Sequence, residues 1–150
     1  MGGYREHALD GATAVDLVVA LYDGIIRFLY SAVDAVERGD AAGRRAAVKR
    51  ALDIIIHLQA RLRMEVGGQS AQALREFYTA IFAQILQASQ SASMAKFEHA
   101  IDCVRNVRDA WREVAKDSNA NAEPPAVFAM PSRTQAASLP DATGGSSWTA

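Results

Sequence analysis

The sequence has one cysteine, Cys103, in 150 residues. That excludes an internal disulfide and a metal centre built from several thiolates, and it suits a reducing compartment. All four prolines (Pro124, Pro125, Pro131 and Pro140) fall near the end of the chain, so no proline interrupts a helix before position 124. Uninterrupted apolar runs are only a few residues long, too short for a bilayer span, and no membrane insertion is expected. The stretch Met1-Gly2-Gly3-Tyr4-Arg5-Glu6 leads into no apolar h-region, and Glu6 stands where a myristoylation motif takes Ser or Thr. Net charge is only −1, which gives no field toward nucleic acid or an anionic membrane. No alternating apolar pattern and no Asn-Gly or Asp-Gly hairpin turn marks a strand. Gly67-Gly68 is not followed by Lys-Ser or Lys-Thr, so no phosphate loop is present.

Helical periodicity fills the space these absences leave. Residues 13–36 carry Leu17, Leu21, Ile25, Phe28, Ala32 and Val36 at three- and four-residue spacing, the period of an amphipathic helix. Thr13 is a suitable N-cap, with Asp16 three positions on as a capping-box carboxylate. Gly24 sits inside this stripe; an interior glycine costs about 1 kcal/mol against Ala, so a close backbone approach is expected there. Arg38-Gly39-Asp40 supplies a C-terminal cation, a left-handed C′ glycine and a new N-cap. A second helix is expected from Asp40 to about Val66, with wide apolar stripes joined by Ile54-Ile55-Ile56 and a terminator in Gly67-Gly68. Ser70 opens a third, to about Ser89, and Ser91 or Ser93 a fourth, through Trp111 to about Lys116. Short turns imply antiparallel neighbours. The expected fold is an all-α, antiparallel, up-and-down four-helix bundle at residues 13–117. A short N-terminal arm precedes it at residues 1–12, and a Pro/Ser/Ala-rich, disordered tail follows at residues 118–150.

Reactive constellations are weak. Asp53 and His57 are i,i+4 neighbours, but helical di-metal sites need Glu-x-x-His pairs and none occurs; no metal is expected. The segment Leu58-Gln59-Ala60-Arg61 lacks the Lys-Gly that follows the reactive His of phosphotransfer bundles. Cys103 has no spaced His–Asp or His–Asn set for nucleophilic catalysis. Arg44, Arg45, Lys49 and Arg50 make a local basic patch, a solvated helix face or a contact for an acidic protein; nucleic acid requires more charge with interleaved aromatics. No enzymatic role and no cofactor are expected. Tyr22-Asp23 is different: a Tyr–Asp pair beside a mid-helix glycine is either a core-edge Tyr with a solvated Asp, or an exposed aromatic and hydrogen-bonding pair suited to a partner helix.

The order of these segments resembles the FliS family of flagellar export chaperones. The resemblance runs over about residues 4–116 through Tyr4, Ala12-Thr13-Ala14-Val15-Asp16-Leu17, Leu21-Tyr22-Asp23-Gly24-Ile25 and Glu37-Arg38-Gly39-Asp40. It continues through Lys49-Arg50-Ala51-Leu52-Asp53-Ile54-Ile55, Leu74-Arg75-Glu76-Phe77-Tyr78, Leu86-Gln87-Ala88 and Val107-Arg108-Asp109-Ala110-Trp111-Arg112. Ala14 stands where the family has Pro, which only softens the first turn. The resemblance implies a cytoplasmic protein that holds the C-terminal segment of flagellin, prevents premature polymerisation and delivers it to the export gate protein FlhA. It implies client contact by Tyr22, Asp23 and Tyr78, which lie on the family's motifs. Leu17, Leu21, Ile25, Ile55 and Ile81 join them on helix position. Tyr4 and Leu9 become candidates for a displaceable N-terminal cap on the same groove, and Trp111 for a core anchor. The alternative is a diverged FliS-like helical scaffold or regulator with a non-flagellin partner.

Overall fold

The turn at Arg38-Gly39-Asp40 shows how local chemistry builds the bundle. In the computed structural model, which describes residues 12–62 and 64–121, helix α1 runs from Ala12 to Arg38. It closes with two reverse hydrogen bonds, Gly39 N–H to the Val36 carbonyl at 3.0 Å and Asp40 N–H to the Ala35 carbonyl at 2.8 Å. Gly39 supplies the φ of +71° that this closure requires. Asp40 then caps α2 (Ala41–Ala60), its carboxylate accepting the Gly43 N–H at 2.8 Å. That bond, with Arg38 beside it, holds the Asp40 carboxyl below the usual carboxylate range.

Several boundaries differ from the sequence reading. Helix α1 already includes Thr13, so the expected cap lies inside the first turn. Helix α2 ends at Ala60 rather than near Val66, in a turn where Arg61 and Leu62 N–H groups bond the Leu58 and Gln59 carbonyls. Helix α3, Met64–Gln90, joins two helical pieces at Gly68: a short one from Met64, and the main one, which follows the break and so begins beside the expected Ser70. Gly68, with φ 58° and ψ −130°, is the non-helical break between them, so the expected glycine stop is present but ends the short piece rather than α2. Helix α2 itself stops earlier, at Ala60, where no Gly or Pro announces it.

The α3–α4 turn repeats the first closure without a glycine: Ala92 N–H bonds the Ser89 carbonyl at 3.1 Å and Ser93 N–H the Ala88 carbonyl at 3.0 Å. Ala92 is held at φ +47°. Ser93 caps α4, its Oγ accepting the Lys96 N–H at 3.1 Å, and α4 runs from Met94 to Asn121, past the expected end at Lys116. Among the described residues there is no β-strand.

Helix α1 packs against α2 and α4, and α3 packs against the same two helices from the opposite side. The four helices thus close a ring in chain order, the up-and-down arrangement. The core gathers Val15, Ile25, Leu29, Ile55, Leu58, Ile81, Ile85, Phe97, Ile101 and Val104, each at most 2% exposed. Gly24 faces α2: a Cβ there would stand 3.1 Å from Ile54 Cδ1. The close approach expected at this glycine is the α1–α2 contact, and Arg50 over the Phe28 ring at 5.7 Å extends it.

Two stability outcomes are expected from this geometry. Ala92→Gly should stabilise the chain by about 1 kcal/mol, because the left-handed conformation disfavours any side chain carrying Cβ; thermal melts check it. Gly24→Ala should change stability by less than about 1 kcal/mol, helix propensity offsetting the crowding of Ile54. In the Ile54→Val background, which removes the crowding methyl, the same substitution should become clearly stabilising, and a double-mutant cycle in urea reads the difference.

Candidate partner-binding surface

Helical geometry sends every third or fourth residue of α1 to the same side, and two adjacent stripes result. Val15, Val18, Tyr22, Ile25 and Leu29 enter the core, while Leu17 is left 55% exposed and Leu21 half-buried. Of the two readings of the Tyr22-Asp23 pair, Tyr22 follows the inward one rather than the exposed one. It is 0% exposed, as is Tyr78 on α3. Their hydroxyls meet at 2.7 Å, and their rings lie tilted with centroids 6.3 Å apart. The Trp111 indole on α4 lies near the Tyr22 hydroxyl as a third polar group at this point. Trp111 is only 6% exposed, which makes it the expected core anchor with a polar edge as well.

Ile25, Ile55 and Ile81 are likewise buried, at 2%, 0% and 1% exposure. With Tyr22 and Tyr78 they build the interior and offer a partner no direct contact in this conformation. Of the Ile54-Ile55-Ile56 run only Ile55 is fully buried, because 100° per residue cannot turn three successive side chains to one core. Ile56 emerges at 50% exposure.

Asp23 is engaged within the chain. Its Oδ1 accepts from Arg108 Nη1 at 2.9 Å, and Arg112 lies 3.8 Å from its Oδ2. Asp23 and Asp109 hold the Arg108 guanidinium, which is 16% exposed, even more firmly protonated. The pair joins α1 to α4. Sequence reading missed Arg108 as a partner, though two basic residues four apart beside Trp111 carry the signal. Tyr4 and Leu9 lie outside the described residues.

Apart from Leu17 and Tyr30 on α1, the accessible large apolar side chains lie beside α3. Between α2 and α3 a groove of about 460 Å³ has Val48, Leu52, Ile56, Phe82 and Leu86 on its walls. Ile56 and Leu86 are exposed, and Arg44, Arg45 and Lys49 rim one end. Arg44 Nε donates to Ser89 Oγ at 3.2 Å across the groove, and Lys49 pairs with Asp53 at 2.9 Å. Asp53 therefore has a lysine partner one helical turn back from itself. A second groove, of about 320 Å³, lies between α3 and α4. Neither carries a reactive constellation: Cys103 sits 3.8 Å from His99 Nε2 on α4 with no carboxylate completing a set, and no cluster of three metal-ligating side chains occurs among the described residues. Such surfaces suit an amphipathic segment that lays its apolar face into a groove.

Burial raises the Tyr22 hydroxyl to about 12, and burial with the adjacent Tyr22 pushes Tyr78 further the same way. Both are protonated in the folded chain well above pH 10, where unfolded tyrosines ionise. Their contribution is complete below pH 10 and falls as pH rises through the window up to about 12. Within that window stability should drop by about 1.4 kcal/mol per pH unit for each tyrosine. Denaturant unfolding of the parent and of the Tyr22→Phe/Tyr78→Phe chain should show a shallower alkaline loss for the variant.

The sequence matches the family model described as flagellar protein FliS over residues 1–118. It is similar to the flagellar secretion chaperone FliS of Vibrio cholerae, 30% identical over 109 residues, covering 73% of this chain and 80% of that protein. It is 30% identical over 111 residues to the flagellar secretion chaperone FliS of Salmonella typhimurium, covering 73% of this chain and 82% of that one. With the corresponding Campylobacter jejuni protein it shares 33% identity over 98 residues, covering 65% and 77%. With the bundle and its two grooves, these matches place the chain in the FliS family, a family of flagellar secretion chaperones and not of enzymes.

Proposed function

We propose that this protein binds the C-terminal segment of flagellin in the cytoplasm, keeps it from polymerising, and hands it to the export gate protein FlhA. The observation that carries this reading is the α2/α3 groove. In a member of this family, it leaves Ile56 and Leu86 open to solvent above a floor of Leu52 and Phe82. A disordered client segment gains an apolar seat there and becomes helical on binding. Leu17 and Leu21, open on α1, extend the contact. Tyr22, Ile25, Ile55, Tyr78 and Ile81 act on it indirectly, by holding the helices that form the seat. Asp23 does the same through Arg108. Tyr4 and Leu9 are the side chains of the arm suited to cover Leu17 and Leu21 before a client arrives.

The ordering cost of the client offsets part of the apolar gain, so affinity stays low enough for release at the gate. Titration calorimetry with the flagellin C-terminal segment should show one-to-one binding with a negative heat-capacity change. Ile56→Asp and Leu86→Asp should each weaken it about ten-fold or more, roughly 1.4 kcal/mol, with the helicity of the free chain unchanged. Normal binding by both variants would remove the groove from the client path.

A further inference from the structure

The α3/α4 groove is walled almost wholly by apolar side chains: beside Ser70, Ala73 and Leu74 on α3 face Val107, Ala110, Trp111 and Val114 on α4. Leu74, Val107 and Val114 are only partly buried, and no described element covers them. The groove runs along the second half of α4, from Val107, about 21 Å from the helix end, to Val114. Val114 is seven residues before Asn121, where the described helix ends, or about 10 Å along the axis. The chain leaves the bundle at this end with 29 residues to run.

The first apolar stretch that follows is Ala126-Val127-Phe128-Ala129-Met130, the longest uninterrupted apolar run after the bundle. It carries no charge and is bracketed by Pro124-Pro125 and Pro131. Consecutive prolines cannot continue α4, and they favour an extended backbone before them. From Asn121 to Phe128 an extended chain spans up to about 23 Å, twice the distance back to Val114. The family match stops at residue 118, so nothing shared with the relatives accounts for this run.

We propose that residues 126–130 fold back and cap the α3/α4 groove, with Phe128 and Val127 against Leu74, Val107 and Val114. The contact is intramolecular, so its strength comes from tethering: a short linker presents the segment at millimolar effective concentration, and a modest intrinsic affinity then suffices. Such a cap keeps the apolar wall beside Trp111 out of water without consuming the α2/α3 groove. It gives the tail a role independent of which client the chaperone carries.

Methyl NMR of the full-length chain and of its Phe128→Asp variant tests this, since the substitution lies beyond the bundle and circular dichroism verifies that the helices persist. Resonances of Leu74, Val107 and Val114 should move in the variant, while those of Val48 and Leu52 in the other groove stay fixed. A synthetic peptide of residues 122–133 should move them back, and should bind the parent chain at least about ten-fold more weakly than the variant, because the tethered segment competes. Three unmoved resonances would overturn the proposal. So would movement at Val48 and Leu52, which seats the tail in the wrong groove. Shifts that vanish on dilution of the parent chain would assign the α3/α4 groove to a second copy instead.

Discussion

Two tyrosines on helices that do not pack side by side reach across the centre of the bundle and join hydroxyl to hydroxyl at 2.7 Å. Both oxygens have lost their water, and in an aliphatic core only each other and the Trp111 indole replace it. An unpaired hydroxyl in that position would cost about 1–3 kcal/mol. Apolar side chains tolerate sliding along a neighbour, whereas a short O–H···O contact does not. The pair therefore fixes the register of α3 against α1, and Trp111 ties α4 to the same point.

That diagonal tie matters because α3 has the sparser packing. Helix α1 lies close against both of its neighbours, more so than α3 does. Gly24 admits Ile54, Arg50 covers Phe28, and Asp23 grips Arg108. Helix α3 meets α2 and α4 less closely, and the two apolar grooves lie on its two flanks. A helix with open flanks needs another anchor, and Tyr78 supplies it from its inner face. Tyr22, Asp23 and Tyr78 thus hold together the helices that frame the two grooves.

Much of this was legible in the residues. The turn at Gly39-Asp40 and the cap at Ser93 follow from local chemistry, and the four-helix ring follows from periodicity with short connections. Gly24 announced a close approach because interior glycines are costly. The phase of α1 was harder. The stripe through Leu17 and Leu21 and the stripe through Val15, Val18 and Tyr22 are both apolar, and periodicity alone does not say which one is inside. Asp23 pulled the reading of Tyr22 toward the surface, because its partner Arg108 is 85 residues away and no local rule connects them. The end of α2 was misplaced because Gly67-Gly68 is the stronger turn signal in sequence, while the turn at Arg61-Leu62 carries no glycine or proline to announce it.

An empty chaperone faces a problem opposite to that of a loaded one. Its grooves must be apolar enough to seat a client helix, yet contiguous exposed apolar surface promotes self-association. Charge offers little protection, since Glu123 and Asp141 against Arg133 account for the whole net charge of −1 and leave the bundle close to neutral. The basic rim at Arg44, Arg45 and Lys49 keeps one end of the α2/α3 groove wet, whereas the α3/α4 groove has only Ser70 as a polar neighbour. The two flanks of α3 are therefore unequal: one is solvated at its edge, and the other, walled by the partly buried Leu74, Val107 and Val114, is the flank on which the proposed cover sits. A tether supplies that cover more reliably than a free partner does, because its local concentration does not fall when the protein is dilute.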